Sequence, residues 1–167
     1  TSSYSVTGVQ TCALPISLES KIIVAHPPAN PSYNHRDILQ LIINDVCKPE
    51  RLEKLVETEI SLAWENMIEN QFSSLEELLL LVQSLQDEMK SLGYPQVAAR
   101  QQICLDTGHL LIWREHHFSN SQATAEIDRN MPLIGKQLRI YHIHGNDGSS
   151  DYQIGRAHVW TPVTEYD

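Results

Sequence analysis

The stretch QICLDTGH, residues 102–109, decides the fold class. Its first half is a short apolar run that is typical of a buried strand, and the run ends on a carboxylate, Asp106. The same form recurs in three other places. Apolar runs at residues 21–26, 60–65 and 138–144 end on His26, Glu65 and His144, respectively. Packing of an apolar core does not explain any of these four terminal side chains.

Helical patterns separate the four runs. Apolar residues recur at helical spacing in residues 36–45, 49–55, 74–92 and 121–134. Pro49 is placed to open the second of these helices. Ser73 or Ser74, with Glu76 or Glu77 three residues later, predicts a capping box at the start of the third. Strands that alternate with helices predict βαβ units and a parallel sheet, which is an α/β fold.

Composition limits the partners of this chain. The 167 residues carry a formal net charge of −9 and contain no run of Lys and Arg, so nucleic acid is not an expected partner. No apolar run reaches the length of a membrane span, so no membrane partner is expected. The three cysteines follow no zinc or disulfide spacing, which fits a reducing compartment and predicts a cytoplasmic protein.

Both chain ends differ in character from the middle. Residues 6–16 and 154–164 resemble the two translated strands of one sequencing-library adaptor. Val6–Val9 can be encoded by GTG ACT GGA GTT, and the reverse complement contains ACT CCA GTC, which encodes Thr161-Pro162-Val163. We therefore expect non-native tails at residues 1–17 and 154–167 that do not pack on the core, and a natural fragment at residues 18–153.

The four strand-end side chains predict one polar site. The carboxyl ends of parallel strands meet at one rim, and side chains alternate along each strand. The sets expected to face inwards are Ile22, Val24 and His26; Ser61, Ala63 and Glu65; Cys104 and Asp106; and Ile140, His142 and His144. Two carboxylates and an imidazole form an oxygen- and nitrogen-rich site, which suits Mn²⁺, Mg²⁺, Co²⁺ or Zn²⁺.

Three motifs resemble successive strand ends of the xylose-isomerase-like barrel superfamily, of the sugar phosphate isomerase/epimerase type. They are Glu65-Asn66-Met67, residues 104–109 (CLDTGH) and residues 142–148 (HIHGNDG). The pair His26-Pro27 is similar to an earlier strand end of those barrels. The resemblance covers nearly all of residues 20–151. It implies a partial (β/α)8 TIM barrel, roughly strands three to six with the intervening helices, since a whole barrel takes roughly 250 residues.

The resemblance also implies a chemistry. In the sugar-acting members a Glu, an Asp and a His on successive strands bind the metal, and these match Glu65, Asp106 and His144. His109 matches a substrate-contacting His, and Glu65 matches one of two catalytic bases. The second base matches no residue of this chain. The implied reaction on a sugar or sugar phosphate is proton transfer through a metal-stabilised enediolate. No residue is assigned to an organic cofactor, and homo-oligomerisation of the intact parent is left open.

Each assignment has a structural alternative. Glu65 could cap the loop at Asn66, and Asp106 could cap the turn that follows it. His142 competes with His144 because both lie on the same strand face, one pleat apart. His26 and His142 are therefore additional rim residues. Cys104 fits a small core residue.

Two other functions stay open at this point. An apurinic DNA-repair endonuclease of the endonuclease IV type shares the superfamily, but it would need a basic groove. Alternatively, the chain has no activity by itself, because part of a barrel leaves open strand edges.

Overall fold

The structure is a computed structural model that describes residues 21–28, 32–68, 72–110, 120–145 and 154–160. Its strands are β1 (Ile22–Ala25), β2 (Ser61–Glu65), β3 (Gln101–Asp106), β4 (Leu138–Gly145) and β5 (Ile154–Trp160). Its helices are α1 (His35–Val46), α2 (Pro49–Thr58), α3 (Leu75–Ser91), α4 (Pro95–Ala98) and α5 (Asn120–Ile134). The four predicted strands and four predicted helices are confirmed. The short α4 was not predicted.

The first four strands form a parallel sheet in chain order. β1 pairs with β2, β2 with β3, and β3 with β4, each in parallel. Parallel neighbours require a crossover connection, and the helices supply it. The order never reverses, in contrast to doubly wound sheets, whose strand order changes direction at a switch point. The predicted α/β fold with a parallel sheet is confirmed.

The helices cover one face of the sheet. The main apolar core joins strand residues such as Trp64, Ile103 and Leu105 to α3, whose Leu78, Leu81 and Leu85 are fully buried. Helices on one face of a sequentially ordered parallel sheet are the arrangement of a barrel wall, whose other face looks inwards. The strand ends that form the polar rim are therefore supported by the apolar core between the sheet and the helices.

The opposite face carries a second, smaller core. Ala63, Cys104 and Ile140 are buried together there, and Ile22 and Val24 pack against them. These are members of the inward-facing sets that side-chain alternation predicts. Small and branched residues suit the narrow interior of a barrel.

Capping residues fix where the main helices begin. The Asn34 side chain accepts a hydrogen bond from the backbone N–H of Asp37 and starts α1. At α3 the box consists of Ser74 and Glu77: the Ser74 hydroxyl accepts from the Glu77 N–H at 3.1 Å, and the Glu77 carboxylate accepts from the Ser74 N–H at 3.4 Å. The predicted capping box is thus confirmed, with Ser74 and not Ser73 as the cap.

β5 adds an antiparallel strand at the edge of the sheet. Ile154–Trp160 pairs with β4, with Tyr141 opposite Val159 and His142 opposite His158, and the expectation that residues 154–167 do not pack on the core stays a prediction. An edge strand presents unpaired N–H and C=O groups that any following extended segment can pair with. The side chains of β5 and residues 1–20 lie outside what the structure describes.

Within the described ranges, no helix combines the length and the apolar character that a membrane crossing requires.

Candidate active site at the carboxyl ends of the strands

Glu65 is the centre of the candidate site. It is the last residue of β2 and is only 2% exposed. Its Oε1 lies 3.1 Å from Nδ1 of His142, and its Oε2 lies 2.8 Å from Nε2 of His26. Carboxylate oxygens only accept hydrogen bonds, so Nδ1 of His142 and Nε2 of His26 each donate a hydrogen bond to Glu65. The carboxylate is therefore clamped between two histidines from the neighbouring strand end and from β4.

Burial and hydrogen bonding oppose each other at Glu65. Burial raises the pKa of its carboxyl group, but the hydrogen bonds from His142 and His26 outweigh burial, and the net pKa is lowered. A carboxylate that is both desolvated and ionised needs positive charge beside it. The site is therefore built for a negative Glu65 with a cationic neighbour.

The two carboxylate oxygens of Asp106 have different contacts. Oδ1 accepts a hydrogen bond at 2.8 Å from the backbone N–H of His109, which caps the helical turn at residues 107–110. Oδ2 lies 3.6 Å from Nδ1 of His142 and 4.0 Å from Nε2 of His109. The capping alternative considered for Asp106 is thus present, and it leaves one oxygen directed at the site.

The side chain of Asn66 holds the backbone of Asp106 in place. Its side-chain amide donates to the Asp106 carbonyl at 3.0 Å, and its side-chain oxygen accepts from the Asp106 N–H at 2.7 Å. Both partners are buried. This pair of bonds ties the end of β2 to the end of β3. This role of Asn66 was not predicted, although a polar residue directly after a buried strand end is the available signal in the sequence.

His109 is held in one tautomer. Its Nδ1 lies 2.8 Å from the backbone carbonyl of Asn66, and a carbonyl only accepts, so Nδ1 carries the proton. The side chain is almost fully buried, and Nδ1 is also 3.5 Å from Oε1 of Glu65. The bond to the Asn66 carbonyl therefore fixes the orientation of the ring and directs Nε2 towards Asp106, 4.0 Å from its Oδ2.

His142 lies between the two carboxylates. It is the register partner of Asp106 in the β3–β4 pair. Hydrogen bonds to Asp106, Cys104 and Glu65, in that order of size, raise the pKa of His142 to about 12. In the metal-free protein His142 is therefore an imidazolium ion, which supplies positive charge between two buried carboxylates.

The structure gathers Glu65, Asp106, His109 and His142 at one point, with His26 at the exposed edge, where 57% of its side chain is accessible. His144, the imidazole predicted from the resemblance, lies further along β4, and its side chain is outside what the structure describes. Cys104, which was predicted to be a small core residue, lies beside Glu65 and His142 at the site, and burial raises the pKa of its thiol to about 11.

Within the described parts of the chain, two groups of donor side chains could hold a cation. In one, ligand atoms of Glu65, Asp106 and His109 all lie within 4.8 Å of one another. In the other, the same limit joins ligand atoms of Glu65, Cys104 and His142. The first group is rich in oxygen, and the two share Glu65.

Comparison with solved structures finds a neighbour for this architecture. The chain is similar to the crystal structure of a D-tagatose 3-epimerase-like protein, with a TM-score of 0.55 and 19% sequence identity. The match covers 83% of this chain and 46% of the neighbour, so the chain spans about half of that protein's length. No protein-family model matches the chain, and no curated protein matches it. At this identity the likeness concerns the fold, and the fold of this chain is that of part of a TIM barrel.

Proposed function

We propose that this segment carries the metal-binding half of a sugar or sugar-phosphate isomerase/epimerase site, which works by proton transfer next to a carbonyl. The observation that supports the proposal most strongly is the convergence of Glu65, Asp106, His109 and His142 at the carboxyl ends of successive parallel strands. The fold of the D-tagatose 3-epimerase-like neighbour agrees with it.

The donor set fits a divalent cation of the Mn²⁺, Mg²⁺, Co²⁺ or Zn²⁺ type. Glu65 and Asp106 supply carboxylate oxygens, and an imidazole supplies nitrogen. We assign that imidazole to His142 in preference to His144, because His142 is level with Asp106 and lies 3.1 Å from Glu65. A bound cation would polarise a substrate carbonyl and its neighbouring hydroxyl.

The chain's own residues then divide the remaining work. Glu65 is kept ionised by its histidine partners and can accept a proton from carbon. The Asn66 carbonyl fixes the direction of Nε2 of His109, so this nitrogen can contact a sugar hydroxyl. The buried outer layer of the sheet keeps both groups at constant separation.

The net charge of −9 supports a small polar substrate over a nucleic-acid one. A nucleic-acid substrate would bring its negatively charged phosphate backbone close to the two carboxylates of the site. No run of Lys or Arg in the sequence offsets the repulsion between them. We therefore do not propose nucleic acid as the substrate.

Metal binding by the chain tests the centre. We expect the chain to bind one Mn²⁺, which is measured by the loss of the electron paramagnetic resonance signal of the free ion. Glu65→Gln should abolish binding, because it removes the charge of a ligand. Glu53→Gln, on the exposed face of α2, is the matched control and should bind Mn²⁺ like the unaltered chain. Undiminished metal content in Glu65→Gln would reject the centre.

The reaction is tested in the intact parent polypeptide. A ketose incubated in D₂O should incorporate deuterium at the carbon beside its carbonyl, and Glu65→Gln should remove the incorporation. Metal binding without any exchange into a panel of ketoses and ketose phosphates would contradict the proposed chemistry.

A further inference from the structure

Cys104 extends the candidate site from the carboxyl ends of the strands towards the middle of the sheet. It lies two residues before Asp106 on β3, faces the same side of the sheet and is fully buried. Its register partner on β2 is Glu65, so the carboxylate at the rim and the thiol stand side by side on adjacent strands. The Cys104 sulfur, a Glu65 oxygen and a His142 nitrogen lie within 4.8 Å of one another.

The residues below the thiol are apolar. Ala63 and Ile140 flank Cys104, and Ile22 and Val24 complete the layer. A cation at this depth therefore has few polar groups to replace its water, and it would rely on Glu65, His142 and a thiolate. Thiolate and imidazole favour softer ions than carboxylates do.

We propose that the chain offers two alternative cation positions that share Glu65 and His142: a rim position completed by Asp106, for hard ions such as Mn²⁺ or Mg²⁺, and a deeper position completed by Cys104, for thiophilic ions such as Cd²⁺. The inference rests on the proposed function for the rim position. On binding at the deeper position the thiol loses its proton to solvent, because a metal-coordinating thiol is deprotonated. One sulfur–hydrogen bond breaks and one sulfur–metal bond forms, with no change of oxidation state.

The probe is Cd²⁺ alone, added to the full chain. Cys12 and Cys47 are replaced by Ser, so that Cys104 is the one remaining thiol of the three in the sequence. We expect one Cd²⁺ per chain to bind with the ultraviolet charge-transfer band of a cadmium–thiolate bond. Cys104→Ala in the same background should remove the band and weaken Cd²⁺ binding at least about 10-fold, as loss of a direct ligand should cost no less than loss of a supporting group. Mn²⁺ affinity should change far less.

Controls separate a lost ligand from a lost fold. Cys104→Ser, which keeps the size of the side chain, should reproduce the result, and the far-ultraviolet circular dichroism of both variants should match the parent chain. The inference is overturned by absence of the band when Cys104 is present, by a band that survives in Cys104→Ala, or by equal loss of Mn²⁺ and Cd²⁺ affinity in both variants.

The two proposals fail in different ways. If Mn²⁺ binds through Glu65 but Cd²⁺ produces no thiolate band, the deeper position is wrong and the rim position stands. If the Cd²⁺ band appears and Mn²⁺ does not bind, the deeper position stands and the proposed hard-metal centre is wrong.

Discussion

Two residues of β4, His142 and His144, compete for one role, and the proposal of His142 rests on its contacts with Glu65 and Asp106. Both were expected on the inner face, one pleat apart, and sequence spacing alone does not rank them. The register of β3 and β4 places His142 beside Asp106. The ion pairs of His142 with Glu65 and Asp106 then follow from position.

A pair of substitutions separates these histidines. His142→Gln should lower Mn²⁺ affinity by 10-fold or more, in the order of about 10–100-fold that a group supporting a metal site costs. His144→Gln should change the affinity by less than that. The measurement is Mn²⁺ titration of both variants under the same conditions, and a larger loss in His144→Gln would return the ligand role to His144.

The charge on His142 predicts a pH dependence of stability in the metal-free chain. Its pKa in the folded protein is raised to about 12, above its ordinary value of about 6.5. Its contribution to the free energy of unfolding is therefore complete below about pH 6.5 and declines as pH rises towards 12.

Chemical denaturation in the presence of a chelator measures this effect. Between about pH 7 and about pH 9, His142→Gln should reduce the fall in unfolding free energy by up to about 1.4 kcal/mol per pH unit relative to the unaltered chain. His144→Gln should retain the fall. Identical slopes in all three proteins would show that His142 is not charged in the folded state.

At the scale of elements, the strand ends are joined by side chains as well as by the sheet. Asn66 bonds to both backbone polar groups of Asp106, and Asp106 caps the turn that holds His109. A change at the end of β2 is therefore transmitted to a group on the loop after β3. This connection explains how the site keeps its geometry on short loops.

Asn66→Ala should destabilise the chain by at least about 2 kcal/mol, because it leaves a buried N–H and a buried C=O of Asp106 without partners. It should also weaken Mn²⁺ binding, since the Asp106 carboxylate loses its support. Urea denaturation and Mn²⁺ titration measure the two effects. Asn44→Ala, on the exposed face of α1, is the control, and equal stability of the two variants would argue against the role of Asn66.

A register shift in β4 limits how far along the strand the side-chain alternation can be extended from the sequence. Leu138 packs in the helix-side core, whereas Ile140, two residues later, faces the opposite side. Strict alternation would put both on one side. The irregularity beside Ile103 and Cys104 turns Ile140 and His142 inwards. No local signal in the sequence marks this bulge, although the strand itself was predictable.

For the whole molecule, the strand and helix order followed from periodicity, because each βα unit buries its own apolar stripe locally. Glu65, Asp106 and His26 could be found as polar residues that end apolar runs. The pairing of β5 with β4 could not, because it joins segments through backbone groups that carry no side-chain pattern. The role of Cys104 depends equally on a neighbour, Glu65, that is distant in sequence.

The central claim is that Glu65, Asp106 and His142 surround one hard cation at the rim of the sheet. Anomalous diffraction from crystals of the chain soaked in Mn²⁺ tests it most directly. We predict a single manganese peak within bonding distance of both carboxylates and the His142 ring. A peak remote from Glu65 and Asp106, or no peak in crystals that contain stoichiometric Mn²⁺, would contradict the account.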